Sequence, residues 1–229
     1  MSEWWTYTLS DFLLFSPRTY FRLFEIYNAA VWPAQIVSLC LGLVILALLL
    51  RPGAPGARSI LTILTILTIL SALWLFVAVA FLAHRYTTIN WAAVYFAWAF
   101  GVQAALLLWS GARSRGSFDA PADPASRAGV ALFAFALLVL PAIGPLLGRG
   151  WKGVGLFGVT PDPTAVGTLG ILLLARVRHR WFLMAIPAVW GAISGATLLA
   201  MKAPDFWIPP FASAAAVSIA FAQTLTRRR

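Results

Sequence analysis

The sequence predicts an all-α integral membrane protein, a single domain built as a bundle of about seven transmembrane helices. Three observations carry that reading. Of the 229 residues 61% are hydrophobic and only 10% charged, and the mean hydropathy is +0.86, whereas roughly a quarter of a soluble domain is charged. Several apolar runs come close to the roughly 20 residues that a bilayer crossing needs. Lipid cannot satisfy free backbone amides, so runs of that length must be helical. The net charge of +10 does not point to nucleic acid, because the basic residues fall in short loops between apolar runs. Cys40 is the single cysteine, which excludes an internal disulfide and a thiolate metal cluster.

Residues 1–28 read as an interfacial segment. Met1 to Phe15 carries Trp4, Trp5, Tyr7, Phe12 and Phe15 with few charges, which suits a stretch lying on the outer leaflet. No basic leader or small-residue cleavage site marks a signal peptide there. Ser16-Pro17 then reads as a helix cap followed by the first helical residue. Beyond it Glu25, Asn28, Trp32 and Gln35 recur at intervals of three, four and three, so on a continuous helix they share a face and carry a polar stripe into the membrane.

The bundle occupies residues 29–225, with a basic cytoplasmic tail at 226–229. Its crossings are drawn at Ala29 to Leu50, Ile60 to Leu82, Asn90 to Trp109, Ala128 to Leu147, Gly153 to Leu174, Trp181 to Met201 and Pro210 to Leu225. The second contains an Ile-Leu-Thr repeat from Ile60 to Ser71, whose hydroxyls every third residue suit close helix packing. Pro141, Pro145 and Pro187 predict kinks. Gly191 and Gly195 have the small-xxx-small spacing of an association face, inside the bundle or between two copies in a homo-oligomer. Tryptophans near segment ends, among them Trp91, Trp109, Trp151, Trp181 and Trp207, read as interfacial belts.

Orientation follows from the basic residues in the loops. Arg51, Arg58, Arg113, Arg115, Arg127, Arg176, Arg178, Arg180 and Arg227 to Arg229 make eleven on one side, against six on the other, Arg18, Arg22, Arg85, Arg149, Lys152 and Lys202. The richer side is expected in the cytoplasm, which puts the N-terminus outside and the C-terminus inside. If the fifth segment dipped in and returned, the balance would invert, so it is expected to cross.

That fifth segment holds the most informative residue. Asp162 stands between Pro161 and Pro163 in an otherwise uncharged stretch, and an ionisable group within an apolar run of this length is costly enough to suggest function. The spacing predicts Asp162 as a helix cap with Pro163 at the first helical position. Pro163 to Ala175 is 13 residues, about 20 Å of helix against a hydrocarbon core near 30 Å, which sinks Asp162 below the outer surface. Gly153, Gly155 and Gly158 fit a bent or broken outer half of the kind transporters use for binding sites. Thr-Pro-Asp-Pro-Thr is also ordinary turn chemistry, and the alternative is an outer loop capping a short helix.

Other chemistries are disfavoured. His84 and His179 belong to opposite sides, Lys152 and Lys202 lie at outer ends, and HExxH, GxSxG and Cys-x-x-Cys do not occur. No cofactor and no metal is implied. A hydrolase using paired carboxylates would draw on Glu25, Asp11 or Asp205 beside Asp162, but Asp205 reads as a solvated turn. The candidate binding residues are therefore Glu25, Asn28, Gln35, Thr160, Asp162 and Thr164, lining an outward-facing site for a small solute or ion. A transporter or permease comes first, a non-catalytic membrane subunit or interaction protein second, and a membrane-embedded enzyme third.

Two stretches, Arg22-Leu-Phe-Glu-Ile-Tyr-Asn-Ala-Ala-Val-Trp-Pro-Ala-Gln35 and Phe157-Gly-Val-Thr-Pro-Asp-Pro-Thr-Ala-Val-Gly-Thr-Leu-Gly170, resemble the two motifs of a bacterial membrane family known only as a domain of unknown function. The resemblance covers nearly the whole chain and implies the bacterial cytoplasmic membrane without implying an activity. In that family a cysteine often stands between the two prolines, so Asp162 departs from it. The departure shifts weight from the carboxylate to the Pro-x-Pro backbone.

Overall fold

The computed structural model describes residues 15–51, 57–113, 123–175, 177 and 179–226. Apart from Phe15, the aromatic residues assigned to an interfacial segment lie outside these residues, and so does the tail from 227 to 229. The regular structure is helical. In chain order the helices are α1 (Pro17–Ala30), α2 (Ala34–Leu50), α3 (Ala57–Phe76), α4 (Ala93–Arg113), α5 (Pro124–Ala134), α6 (Leu140–Leu146), α7 (Pro161–Leu174), α8 (Arg180–Ala200) and α9 (Ile208–Thr226). α3 runs on through a π-helical stretch, Val77–Ala83, and α5 joins α6 through another, Phe135–Val139. The second stretch ends two residues before Pro141, whose missing amide a wider turn accommodates.

Five helical stretches are long and apolar enough to cross a membrane: Ile60–Thr88, Ala93–Arg113, Pro124–Leu146, Arg180–Ala200 and Ile208–Thr226. The remaining two expected crossings take other forms. α1 and α2 meet at a bend of 88°, and α7 has only 14 residues, about 21 Å of helix.

The bend corrects the continuous first helix expected from the sequence. α1 starts as expected, with the Ser16 side chain accepting from the Thr19 amide and Pro17 in the first turn. It stops at Ala30, before Pro33, which has no amide to donate and whose ring crowds the preceding turn; the Trp32–Pro33 peptide is cis. Glu25 and Asn28 therefore sit on one helix and Gln35 on another, and the four-residue polar stripe is not one face.

α7 is the centre of the molecule. From Pro161 to Leu174 every residue except Asp162 is buried, because α3, α5, α8 and α9 all pack against it. Its apolar side chains point in every direction, the pattern of a helix covered on all sides. The closest approach is to α5, where a Cβ placed on Gly129 would lie 2.6 Å from the Gly170 carbonyl oxygen and one on Gly170 would lie 2.7 Å from that of Gly129. α3 and α4 pack through the hydroxyl-bearing repeat, with Ser71 donating to the Ala104 carbonyl at 2.7 Å. The Gly191 and Gly195 face of α8 is filled by α9 of the same chain, since added Cβ atoms would lie 2.0 Å from Ser213 Oγ and 2.6 Å from Pro210.

The α5–α7 crossing makes a direct prediction. Gly170→Val forces two backbones apart and should destabilise the protein by at least about 1–3 kcal/mol, lowering the unfolding midpoint in detergent. Gly101→Ala, at a site where nothing lies within 4 Å, should hold or raise the midpoint because alanine is the better helix former. Equal behaviour of the two variants would contradict the crossing.

Candidate functional site

α7 begins inside the protein, where its free amides have no water to bond. The sequence solves this largely by removing donors. Pro161 and Pro163 occupy the first and third helical positions and carry no N–H. Thr160 is the cap and not Asp162, because the residue before a proline is pushed to extended backbone; its φ and ψ are −125° and 156°. The Thr160 amide donates to the Leu156 carbonyl at 2.9 Å, and its hydroxyl to the same oxygen at 3.2 Å. The Thr164 hydroxyl accepts from the Gly158 amide at 2.8 Å and donates to the Thr160 carbonyl at 2.6 Å. Gly158 adopts φ 72°, and a Cβ there would meet the Leu73 side chain at 2.7 Å, so glycine is needed twice over.

Asp162, in the first turn of α7, turns its carboxylate to α8. Trp190 Nε1 donates to Oδ1 at 2.7 Å and the Ser194 hydroxyl donates to Oδ2 at 2.8 Å. Trp190 is itself wedged edge-on between Phe96 and Phe100 of α4, at centroid separations of 5.5 and 5.1 Å. Trp190 and Ser194 lie ten and six residues before the end of α8 at Ala200, which places the carboxylate about 9–15 Å below that end of the helix.

Asp162 borders a cavity of about 110 Å³, several times what a single water requires. Tyr20, Phe24, Phe81, Tyr86 and Trp190 give it aromatic walls, and Thr160, Arg149 and Asp205 add polar groups. It lies at the end of the bundle where the 84–92, 147–160 and 201–207 connections meet. Arg149 and Asp205 form an ion pair, and the Arg149 guanidinium also lies 4.8 Å from the centre of the Phe21 ring. The Asp205 side chain is only 15% exposed, which corrects its reading as a solvated turn. Neither charge of the pair is therefore free. Among the described residues no basic side chain lies within ion-pair distance of Asp162, and no group of three or more His, Cys, Asp or Glu is placed to hold a metal.

α1 roofs this arrangement. Tyr27, fully buried, donates from its hydroxyl to the Val159 carbonyl at 2.9 Å. Asn28 Nδ2 donates to the carbonyls of Lys152 and Val154, both at 2.9 Å, and Gln35 Nε2 donates to the Asn28 carbonyl at 2.7 Å. A model of a protein family of unknown function, DUF6064, matches residues 18–229. The chain belongs to that family. No curated protein and no solved structure matches it. In this DUF6064 chain the two motif stretches are one hydrogen-bonded unit, the first on α1 and at the start of α2, the second in the connection that α1 holds down and in α7.

Of the residues singled out in the sequence, Asp162 and Thr160 reach the cavity wall. Thr164 is buried and bonded within the start of α7. Asn28 and Gln35 spend their donors on backbone carbonyls, and Glu25 pairs with Arg22. Trp190, Ser194, Arg149, Tyr20 and Tyr86 were not singled out. Trp190 and Ser194 are spaced four apart on one face of α8, a signal masked in the sequence because tryptophans are common at membrane interfaces.

The roof is testable. Asn28→Ala leaves the carbonyls of Lys152 and Val154 without their donor and should cost about 1–3 kcal/mol, with faster amide exchange in 150–160 and unchanged exchange in α4. Uniform acceleration across the chain would mean general destabilisation and not a lost clamp.

Proposed function

We propose that the protein is a multi-pass permease for a small solute or ion, which it receives in the cavity beside Asp162. One observation carries the reading: a carboxylate some 10 Å below the end of a helix borders an aromatic cavity, accepts two neutral donors and has, among the described residues, no cationic side-chain partner. Ionisable groups at such depth are costly and belong to substrate or ion pathways more often than to scaffolding. The short buried α7, starting at a break in the bundle, has the form of the half-helices that build transporter sites. Counting the bent α1–α2 pair and α7 as crossings gives seven, with the N-terminus outside and the C-terminus in the cytoplasm of a bacterial inner membrane; the cavity then opens outward.

A second reading, a non-catalytic subunit that docks on another membrane protein, draws on Trp91, just before α4, and Tyr95 and Trp98 on it, which are 68%, 64% and 74% exposed. Lipid alone can also cover such a stripe. The cavity beside Asp162 supports the transport reading instead.

In proteoliposomes challenged with a panel of small cations, zwitterions, polyols and anions, the wild type should take up at least one class saturably, and Asp162→Asn should cut that uptake at least tenfold. Identical behaviour of the two proteins across the panel would remove the permease reading. A green fluorescent protein fused to the C-terminus, which fluoresces when left in the cytoplasm, should be bright, while an exported alkaline phosphatase at the same site should be inactive.

A further inference from the structure

Both oxygens of Asp162 accept hydrogen bonds, from the Trp190 indole and the Ser194 hydroxyl. The indole can only donate, whereas the hydroxyl donates to a carboxylate or accepts from a carboxylic acid, so the two contacts are compatible with an ionised Asp162. An ionised carboxylate buried with neutral donors alone has no counter-charge beside it. The nearby cation, Arg149, is already taken by Asp205 and the Phe21 ring, so among the described lining residues an ionised Asp162 is the one charge without an opposite partner.

The walls say what kind of cation would supply the balance. A hard metal ion asks for about six oxygen ligands, and the described residues offer no cluster of metal-ligating side chains. Instead Tyr20, Phe24, Phe81, Tyr86 and Trp190 surround the space, and ring faces attract organic ammonium groups. The volume of about 110 Å³ exceeds a bare ion. One polar group points to a missing donor. Asp205 Oδ1, on a residue that lines the cavity, is buried with no hydrogen-bond partner among the described residues. Native buried acceptors are rarely left so.

We infer that the cavity is a binding site for a compact organic ammonium group, its positive nitrogen against the Asp162 carboxylate and its carbon substituents among the aromatic rings. The inference takes the cavity named above as the solute site and stands on binding, whether or not the group is translocated. An ammonium can be that of a free amine or that of a lipid headgroup, and the chemistry of recognition is the same.

The full-length protein in phosphatidylglycerol nanodiscs is titrated calorimetrically with tetramethylammonium and methylammonium chloride. Sodium chloride at equal ionic strength and tert-butanol, a neutral compound of similar bulk, serve as controls. At least one ammonium salt should bind saturably, at least tenfold tighter than either control. Asp162→Asn should weaken it at least tenfold, and Phe24→Leu, which keeps the carboxylate and removes one ring, severalfold. Phe24→Leu carries the test if Asp162→Asn elutes as aggregate. Ammonium salts indistinguishable from the controls, or variants that bind as the wild type does, overturn the inference. Repeating the titration with phosphatidylcholine added identifies the source: competition means that headgroups reach the site, and unchanged affinity means a free solute. Ammonium binding without uptake retains the cation site and removes the permease, whereas uptake of a neutral or anionic solute without ammonium binding does the reverse.

Discussion

The structure depends on starting a helix where there is no water. α7 is covered on every side by other helices, and its first turn lies below the end of the bundle with four amide positions that an α-helix cannot satisfy internally. Pro161 and Pro163 cancel two of those donors, and the Thr160 amide is satisfied by Leu156. The requirement for such a start explains why Pro-x-Pro, disruptive within a helix, is well suited to this point in the chain. It also fixes Thr160 in extended backbone, which aims the preceding connection back over the cavity.

That connection has no regular structure between Leu147 and Thr160, so its carbonyls need partners from elsewhere. α1 supplies them. The break before Pro33 swings α1 across the bundle at 88° to α2, and this brings Tyr27 and Asn28 onto the carbonyls of Lys152, Val154 and Val159. Gln35 then ties the first turn of α2 back to Asn28. A straight first helix could not do this, because residues 24–28 would stand upright beside the other helices and not lie over the connection. The bend at one proline and the helix start at two others are parts of a single construction.

Much of this was legible in the sequence and some was not, for definable reasons. Apolar runs located α3, α4, α8 and α9 because length and composition alone decide a crossing. Asp162 stood out because charge is scarce around it. The cap was placed two residues late because Pro161 and Pro163 are equally good first residues of a helix, and only the packing of Thr160 against Leu156 separates them. The bend at Pro33 was missed because a proline can also sit in a merely kinked helix. Asp205 reads as a surface residue in the sequence because Lys202-Ala-Pro-Asp has the composition of a turn, and its partner Arg149 is 56 positions away. Ion pairs between loops distant in sequence leave no periodic trace.

The two prolines and the aspartate between them do separate work. The prolines serve the backbone, and any residue that tolerates the second helical position could stand between them. The carboxylate adds an electrostatic problem. Removing such an ion from water costs several kcal/mol. Two hydrogen bonds to a charged acceptor return about 1.5–3 kcal/mol each, and a position at a helix N-terminus returns up to about 2 kcal/mol. These terms are close in size, so the ionised group is neither strongly stabilised nor excluded, and a cation in the adjacent cavity would tip the balance. A scaffold gains nothing from a charge held so near neutrality of cost. A binding site does, because a cation arriving there is attracted without first displacing a strong ion pair, and it can leave again for the same reason.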